Sequence, residues 1–139
     1  MPQLNAYLNF DGNCAEAMRF YEGILGGKLD IMTFGQSPMC DQMPPDAGDR
    51  VMHARLAVDG GVLMASDAMP GQPYSGLKGC GLALTFPQVA DARRAFDALA
   101  EGGRVDMPMD KTFWAEAFGM VVDRYGLLWL INGGEMMQG

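Results

Sequence analysis

The chain is short of positive charge, of cysteine and of histidine, and it has no long hydrophobic run. Ten Lys and Arg face seventeen Asp and Glu, for a net charge of −7, and only Arg93-Arg94 are adjacent. Nucleic acid is thereby set aside as a partner, because phosphate binding needs clustered cations. No apolar stretch approaches the ~20 residues that cross a bilayer, so no membrane span is expected. The opening residues, Met-Pro-Gln-Leu-Asn, lack the basic and apolar regions of a secretory signal. The three cysteines, Cys14, Cys40 and Cys80, are odd in number, far apart and form no CxxC pair. A disulfide framework is not expected, and reduced thiols in a cytoplasmic protein are. GxSxG and GxxxxGK[ST] are also missing, which removes the nucleophile elbow and the phosphate loop.

What remains is a globular composition: 139 residues, 49% apolar and 19% charged. Methionine is abundant, with 13 residues, several in loop-like stretches (Met39, Met43, Met69, Met107, Met109). Such residues fill irregular apolar space, in a core or in a malleable pocket.

The chain also repeats itself. Tyr7-Leu8-Asn9-Phe10 and Ala83-Leu84-Thr85-Phe86 each read as a strand end. Each precedes a helix-period segment that ends in Gly-Gly, a base, an aliphatic residue and Asp: Gly26 to Asp30, then Gly102 to Asp106. A second echo matches Val58-Asp59, with its Gly turn, to Val122-Asp123. Twelve more residues separate Asp30 from Asp59 than Asp106 from Asp123, which places an insertion in the Pro/Gly/Asp-rich loop 35–50.

The expected fold class is α+β. Two tandem βαβββ units would form curved, mainly antiparallel sheets around a chamber. The organisation read from this is one domain over 1–139: unit one at 1–67, a connector at 68–80, unit two at 81–132 and a loose tail at 133–139. Asn13 is the expected N-cap of the first helix, with Glu16 as its reciprocal partner.

Several segments together resemble the vicinal oxygen chelate superfamily (glyoxalase, bleomycin resistance, extradiol dioxygenase), and most closely its PhnB-like branch. They are Tyr7 to Phe10 with Gly12-Asn13, Met52-His53-Ala54, Leu63 to Pro70 and Tyr74-Ser75-Gly76. The most specific are Thr112-Phe113-Trp114-Ala115, with Phe118-Gly119, Asp123 and Tyr125-Gly126, and the ending Trp129-Leu130-Ile131-Asn132. Enzymes of that superfamily hold a divalent metal with His, Gln and Glu from the first and last strands of each half. The matching positions here are Asn5 and Gly81, then Met64 or Ala65, and Trp129 or Leu130. None of these offers a carboxylate or imidazole, so no metal and no cofactor is expected.

His53 is either a hydrogen-bonded structural residue or a polar anchor or base for a ligand. A Cys40–His53 metal pair lacks a third ligand. Trp114 reads equally as core or pocket wall, and Trp129 as core. Asp67 and Glu116 read as solvated or capping carboxylates. The ligand-binding residues taken from this reading are His53, Tyr74, Phe113 and Trp114, with no catalytic residue assigned.

The expected function is binding of a small, partly apolar molecule in the chamber between units, by a homodimer. Whether the protein is an enzyme stays open, the rival being a metal-dependent lyase, isomerase or dioxygenase of the same superfamily. A methyltransferase label attached to similar sequences fits less well, because the Gly pairs follow helices or lie in hairpins.

Overall fold

Each Gly-Gly pair of the repeat closes a helix and starts a strand, for a backbone reason. Gly26 (φ 74°, ψ −153°) and Gly102 (φ 76°) turn the chain out of the helix with a positive φ that glycine adopts without a Cβ clash. The second glycine then packs against the neighbouring strand. A Cβ on Gly27 would stand 2.1 Å from the Ala57 carbonyl oxygen, and one on Gly103 would stand 2.2 Å from that of Val122. Gly27 is itself left-handed, at φ 87°. Gly27→Ala is therefore expected to cost about 3 kcal/mol, combining overpacking with backbone strain. Gly103→Ala, which meets only the steric term, should cost less in urea unfolding.

The computed structural model describes residues 2–36, 48–69, 71 and 73–136, without the side chains of 135 and 136. The chain divides into two compact units, Met1–Gly76 and Leu77–Gly139, with the boundary inside the expected connector. Unit one comprises β1 (Ala6–Phe10), α1 (Cys14–Leu25), β2 (Lys28–Thr33), a 3-10 turn at Phe34–Gln36, β3 (Val51–Val58) and β4 (Gly61–Asp67). Unit two comprises β5 (Gly81–Phe86), α2 (Val89–Ala100), β6 (Arg104–Asp110), β7 (Ala115–Val122) and β8 (Leu128–Met136).

Strand order is β1-β4-β3-β2 in one sheet and β5-β8-β7-β6 in the other, so the two βαβββ units share one topology. In each sheet the first and last strands pair in parallel and the remaining neighbours antiparallel.

Burial follows the strand period of two. Leu63, Ala65 and Asp67 of β4 are buried, while Val62, Met64 and Ser66 are half-buried. α1 buries Cys14, Ala17, Met18 and Tyr21 on one stripe and packs over β2, β3 and β4. α2 buries Ala92, Ala95, Phe96 and Leu99 over the second sheet. One face of each sheet is thus covered by its helix. In unit one the helix-free face carries Tyr7, Asn9, His53, Arg55, Met64 and Ser66, by register.

Three readings need correction. The expected tail is strand as far as Met136, because β8 continues past Asn132 to pair with β7 at Ala115. The second echo is one residue out of register. Lys28 pairs with Ala57 and its repeat mate Arg104 with Val122, so Val58 corresponds to Asp123. The hairpin turns differ in length, which hid the shift. Asn13 precedes α1 but its side chain makes no capping bond. Residues 37–47 of the expected insertion lie outside the described residues.

Candidate functional site

α1 is capped from a distance. Asp67, at the end of β4, lies beside Phe10 in the parallel pairing and is only 5% exposed. Its Oδ1 accepts hydrogen bonds from the backbone N–H of Gly12 (2.8 Å) and Cys14 (3.0 Å). Its Oδ2 accepts from the N–H of Val51 (2.8 Å). One carboxylate thus ties the end of β4 to the start of α1 and the start of β3. Arg50 adds a second clip: its Nη1 donates to Asp11 Oδ1 (2.8 Å) and to the Ala68 carbonyl (2.7 Å).

A cavity of about 470 Å³ opens over this anchored end of the sheet. Asn9, Ser66, Asp67, Ala68, Met69 and Tyr74 line it, with connector residues 73–76 on one side. The Tyr74 hydroxyl donates to the Asn9 carbonyl (2.8 Å), which folds the connector back onto β1. Burial, then the nearby Asp11 and Asp67 carboxylates, push the Tyr74 pKa above its ordinary value. The phenol therefore stays protonated, and a donor, through the physiological range. The lining mixes polar groups with Ala68, Met69 and Pro73, and is more polar than the sequence reading supposed.

His53 lies on the same helix-free face, on β3, outside that lining. Its ring centroid is 6.1 Å from that of Tyr7, tilted by 35°. Tyr7, Asn9 and Ser66 went unnoticed as site residues. The alternation of β1 and β4 places them together, but only once the parallel register is known. Cys40, the imagined partner of His53, lies outside the described residues.

In unit two, Thr112 shapes the entry to β7. Its Oγ1 accepts from the N–H of Trp114 (3.3 Å) and Ala115 (3.1 Å), and its own N–H donates to the Ala115 carbonyl (3.1 Å). That turn stacks three aromatics edge to face. Phe113 and Trp114 have centroids 4.8 Å apart, and Trp114 and Phe118 5.2 Å apart. The series runs from surface to interior: Phe113 is 81% exposed, Trp114 is half-buried and Phe118 is 7% exposed. Trp129 is core, at 1% exposed, and its indole Nε1 donates to Asp123 Oδ2 (2.8 Å).

The description of the Glyoxalase/Bleomycin resistance protein/Dioxygenase superfamily matches residues 3–131. The chain belongs to that superfamily. It is 37% identical over 140 residues to Protein YjdN of Escherichia coli (strain K12), covering 93% of each chain. It is 48% identical to protein PA1353 from Pseudomonas aeruginosa, a crystal structure matched with a TM-score of 0.89 over 97% of this chain and 99% of that one. A PhnB protein from Bacillus cereus, described as a putative 3-demethylubiquinone-9 3-methyltransferase, shares the fold at 22% identity, with a TM-score of 0.75 over 96% of this chain and all of that one.

The superfamily's metal positions do not fit a metal in this chain. By the resemblance they are Asn5 with Met64 or Ala65 in unit one and Gly81 with Trp129 or Leu130 in unit two, of which Met64 and Leu130 are equivalent by register. One carboxamide oxygen among these is too few donors for a divalent ion. Among the described residues, no three His, Cys, Asp or Glu side chains are grouped to hold one.

Cys14 is buried against Asp67. Burial first, then the Asp67 charge, push its thiol up from 9.0 to about 12. The folded state thus holds a proton that the unfolded chain gives up. That stabilisation is complete below pH 9 and is lost as pH rises toward 12. At pH 11 the loss approaches about 3 kcal/mol, at up to ~1.4 kcal/mol per pH unit. Urea melts of wild type and Cys14→Ala should therefore converge as pH rises from 8 to 11. Parallel curves would refute the shift.

Proposed function

We propose that the protein binds a small, partly apolar molecule on the helix-free sheet faces, without a metal ion. The cavity over Asn9, Ser66 and Tyr74 carries this reading. Its size is that of a small-molecule pocket, and it offers carbonyl, hydroxyl and phenol groups beside Met69 and Pro73. Tyr74 closes one side, and His53 with Tyr7 extends the polar surface along the same face. Phe113 and Trp114 are proposed as ligand-contacting residues of the second unit's own sheet, with Trp114 as wall. The donor set supports metal independence: Asn5, Met64, Gly81 and Leu130 stand where the superfamily's enzymes carry ligands.

Methyl transfer finds little support. A nucleotide-type cofactor would need free backbone donors at a strand-to-helix turn, and in unit one those of Gly12 and Cys14 are taken by Asp67. No helix among the described residues is long and apolar enough to cross a membrane. A cytoplasmic location accords with the free thiols of Cys14 and Cys80. A C2 homodimer is proposed on the resemblance and on the open strand edges; light scattering should give twice the chain mass, and a monomer mass at micromolar concentration would refute it.

Metal independence is tested by elemental analysis and chelator melts of the purified protein. The expected result is no stoichiometric zinc, nickel, iron or manganese and an unchanged Tm with chelator. One equivalent of bound metal would overturn it and favour the lyase, isomerase or dioxygenase reading.

A further inference from the structure

Asn132 is 7% exposed, on β8, and no described group donates to its buried carboxamide oxygen Oδ1. A buried acceptor without a donor costs stability. Retaining one is informative when the same place in the fold can receive a ligand.

The internal repeat identifies that place. Phe10 pairs with Asp67, and its mate Phe86 with Gly133. Ser66 of the first unit therefore corresponds to Asn132, and Asn9 to Thr85. Ala54 pairs with Ala65, and Gly119 with Ile131, so His53 corresponds to Phe118. Asn9 and Ser66 line the first unit's cavity. Their mates Thr85 and Asn132 are register partners on the second sheet. Phe118 lies directly across from Asn132 on β7, and the Trp114 ring stands 5.2 Å from that of Phe118.

The geometry points to a second ligand subsite, on the helix-free face of the β5-β8-β7 sheet, in which Asn132 Oδ1 accepts a hydrogen bond from an O–H or N–H of a planar, partly apolar ligand held beside Trp114 and Phe118. It rests on the reading of the protein as a small-molecule binder and adds the ligand chemistry: an uncharged donor on an aromatic or similarly flat body. Donor and ring are both required. An apolar molecule leaves Oδ1 unpaired, and a site built to pair a polar group discriminates strongly against an analogue lacking it.

Phenol and toluene are the probes, equal in shape and different in the donor. Titrations of 15N-labelled protein follow the indole signal of Trp114, with that of Trp129, bonded to Asp123, as internal reference. Phenol should shift Trp114 and leave Trp129 unmoved, with a Kd at least tenfold lower than that of toluene. In Asn132→Leu the preference should vanish, while the melting temperature stays level or rises, because the orphan acceptor has gone. Should Asn132→Leu not fold, Asn132→Ala serves for the same titration. Equal affinities for the two probes in wild type overturn the subsite, as does an unchanged preference in the variant or no shift at Trp114 with either probe. Such a failure is separate from that of the first unit's cavity, which is read through Ser66.

Discussion

Asp67→Ala is expected to lower unfolding stability by about 3–5 kcal/mol, although the residue reads in the sequence as no more than a solvated or capping carboxylate. The substitution leaves the backbone N–H groups of Gly12, Cys14 and Val51 without their acceptor. Each such loss in a buried setting costs about 1–3 kcal/mol, partly recovered where water can enter. It also removes the cap of α1. Asp67→Asn separates the contributions. Its carbonyl can still serve Gly12 and Cys14, but its amide then faces the Val51 N–H, donor against donor. About half the loss should remain. Urea unfolding of both variants checks this, and a cost under about 1 kcal/mol for Asp67→Ala would dissolve the anchor beneath the cavity.

Trp129→Ala should cost a comparable amount, about 3–5 kcal/mol, the usual range for a buried Trp. Trp129 is 1% exposed and also donates to Asp123, whose other oxygen accepts from the N–H of Tyr125 (2.8 Å) and Leu127 (3.1 Å). Trp129→Phe keeps most of the volume and drops the indole donor, so about 1–3 kcal/mol is expected. Trp114→Ala is the contrast. Half-buried between an exposed Phe113 and a buried Phe118, it should cost about 1–2 kcal/mol, less than core truncation. Thermal melts that rank Trp114→Ala level with Trp129→Ala would make Trp114 packing and remove it from the site.

The fold was legible because its repeat is written in residues that the backbone requires. Gly26 with Gly27, and Gly102 with Gly103, are needed wherever a helix ends with a positive φ against the next strand, so the motif survived in both halves. The strand and helix periods around them did the rest. The cap of α1 was legible only in part: Asp67 read as a solvated or capping carboxylate, with nothing to say which helix it would cap. Asn13 followed by Glu16 has the local signature of a capping box, yet the Asn13 side chain makes no capping bond, and Asp67, more than fifty residues away, accepts instead from the N–H groups of Gly12 and Cys14 on either side of it. A contact of that range leaves no trace in local spacing. The same holds for Ser66 and Asn132, which the sequence offers only as parts of the resemblance until strand pairing makes them equivalent. Trp129 as core was readable from the closing hairpin. The polar character of the first unit's cavity was not, because it depends on Tyr74 reaching back to Asn9.

Native mass spectrometry tests the central claim most directly, since it weighs metal and ligand on the same folded protein. Wild type and Ser66→Phe, which places a ring in the first unit's cavity, are each incubated with the small-molecule fraction of a cell extract. The expected wild-type spectrum has no divalent-metal increment and one adduct of a few hundred daltons, and that adduct is missing from folded Ser66→Phe. A stoichiometric metal increment, no adduct on wild type, or an adduct retained by Ser66→Phe would contradict metal-independent binding at this cavity.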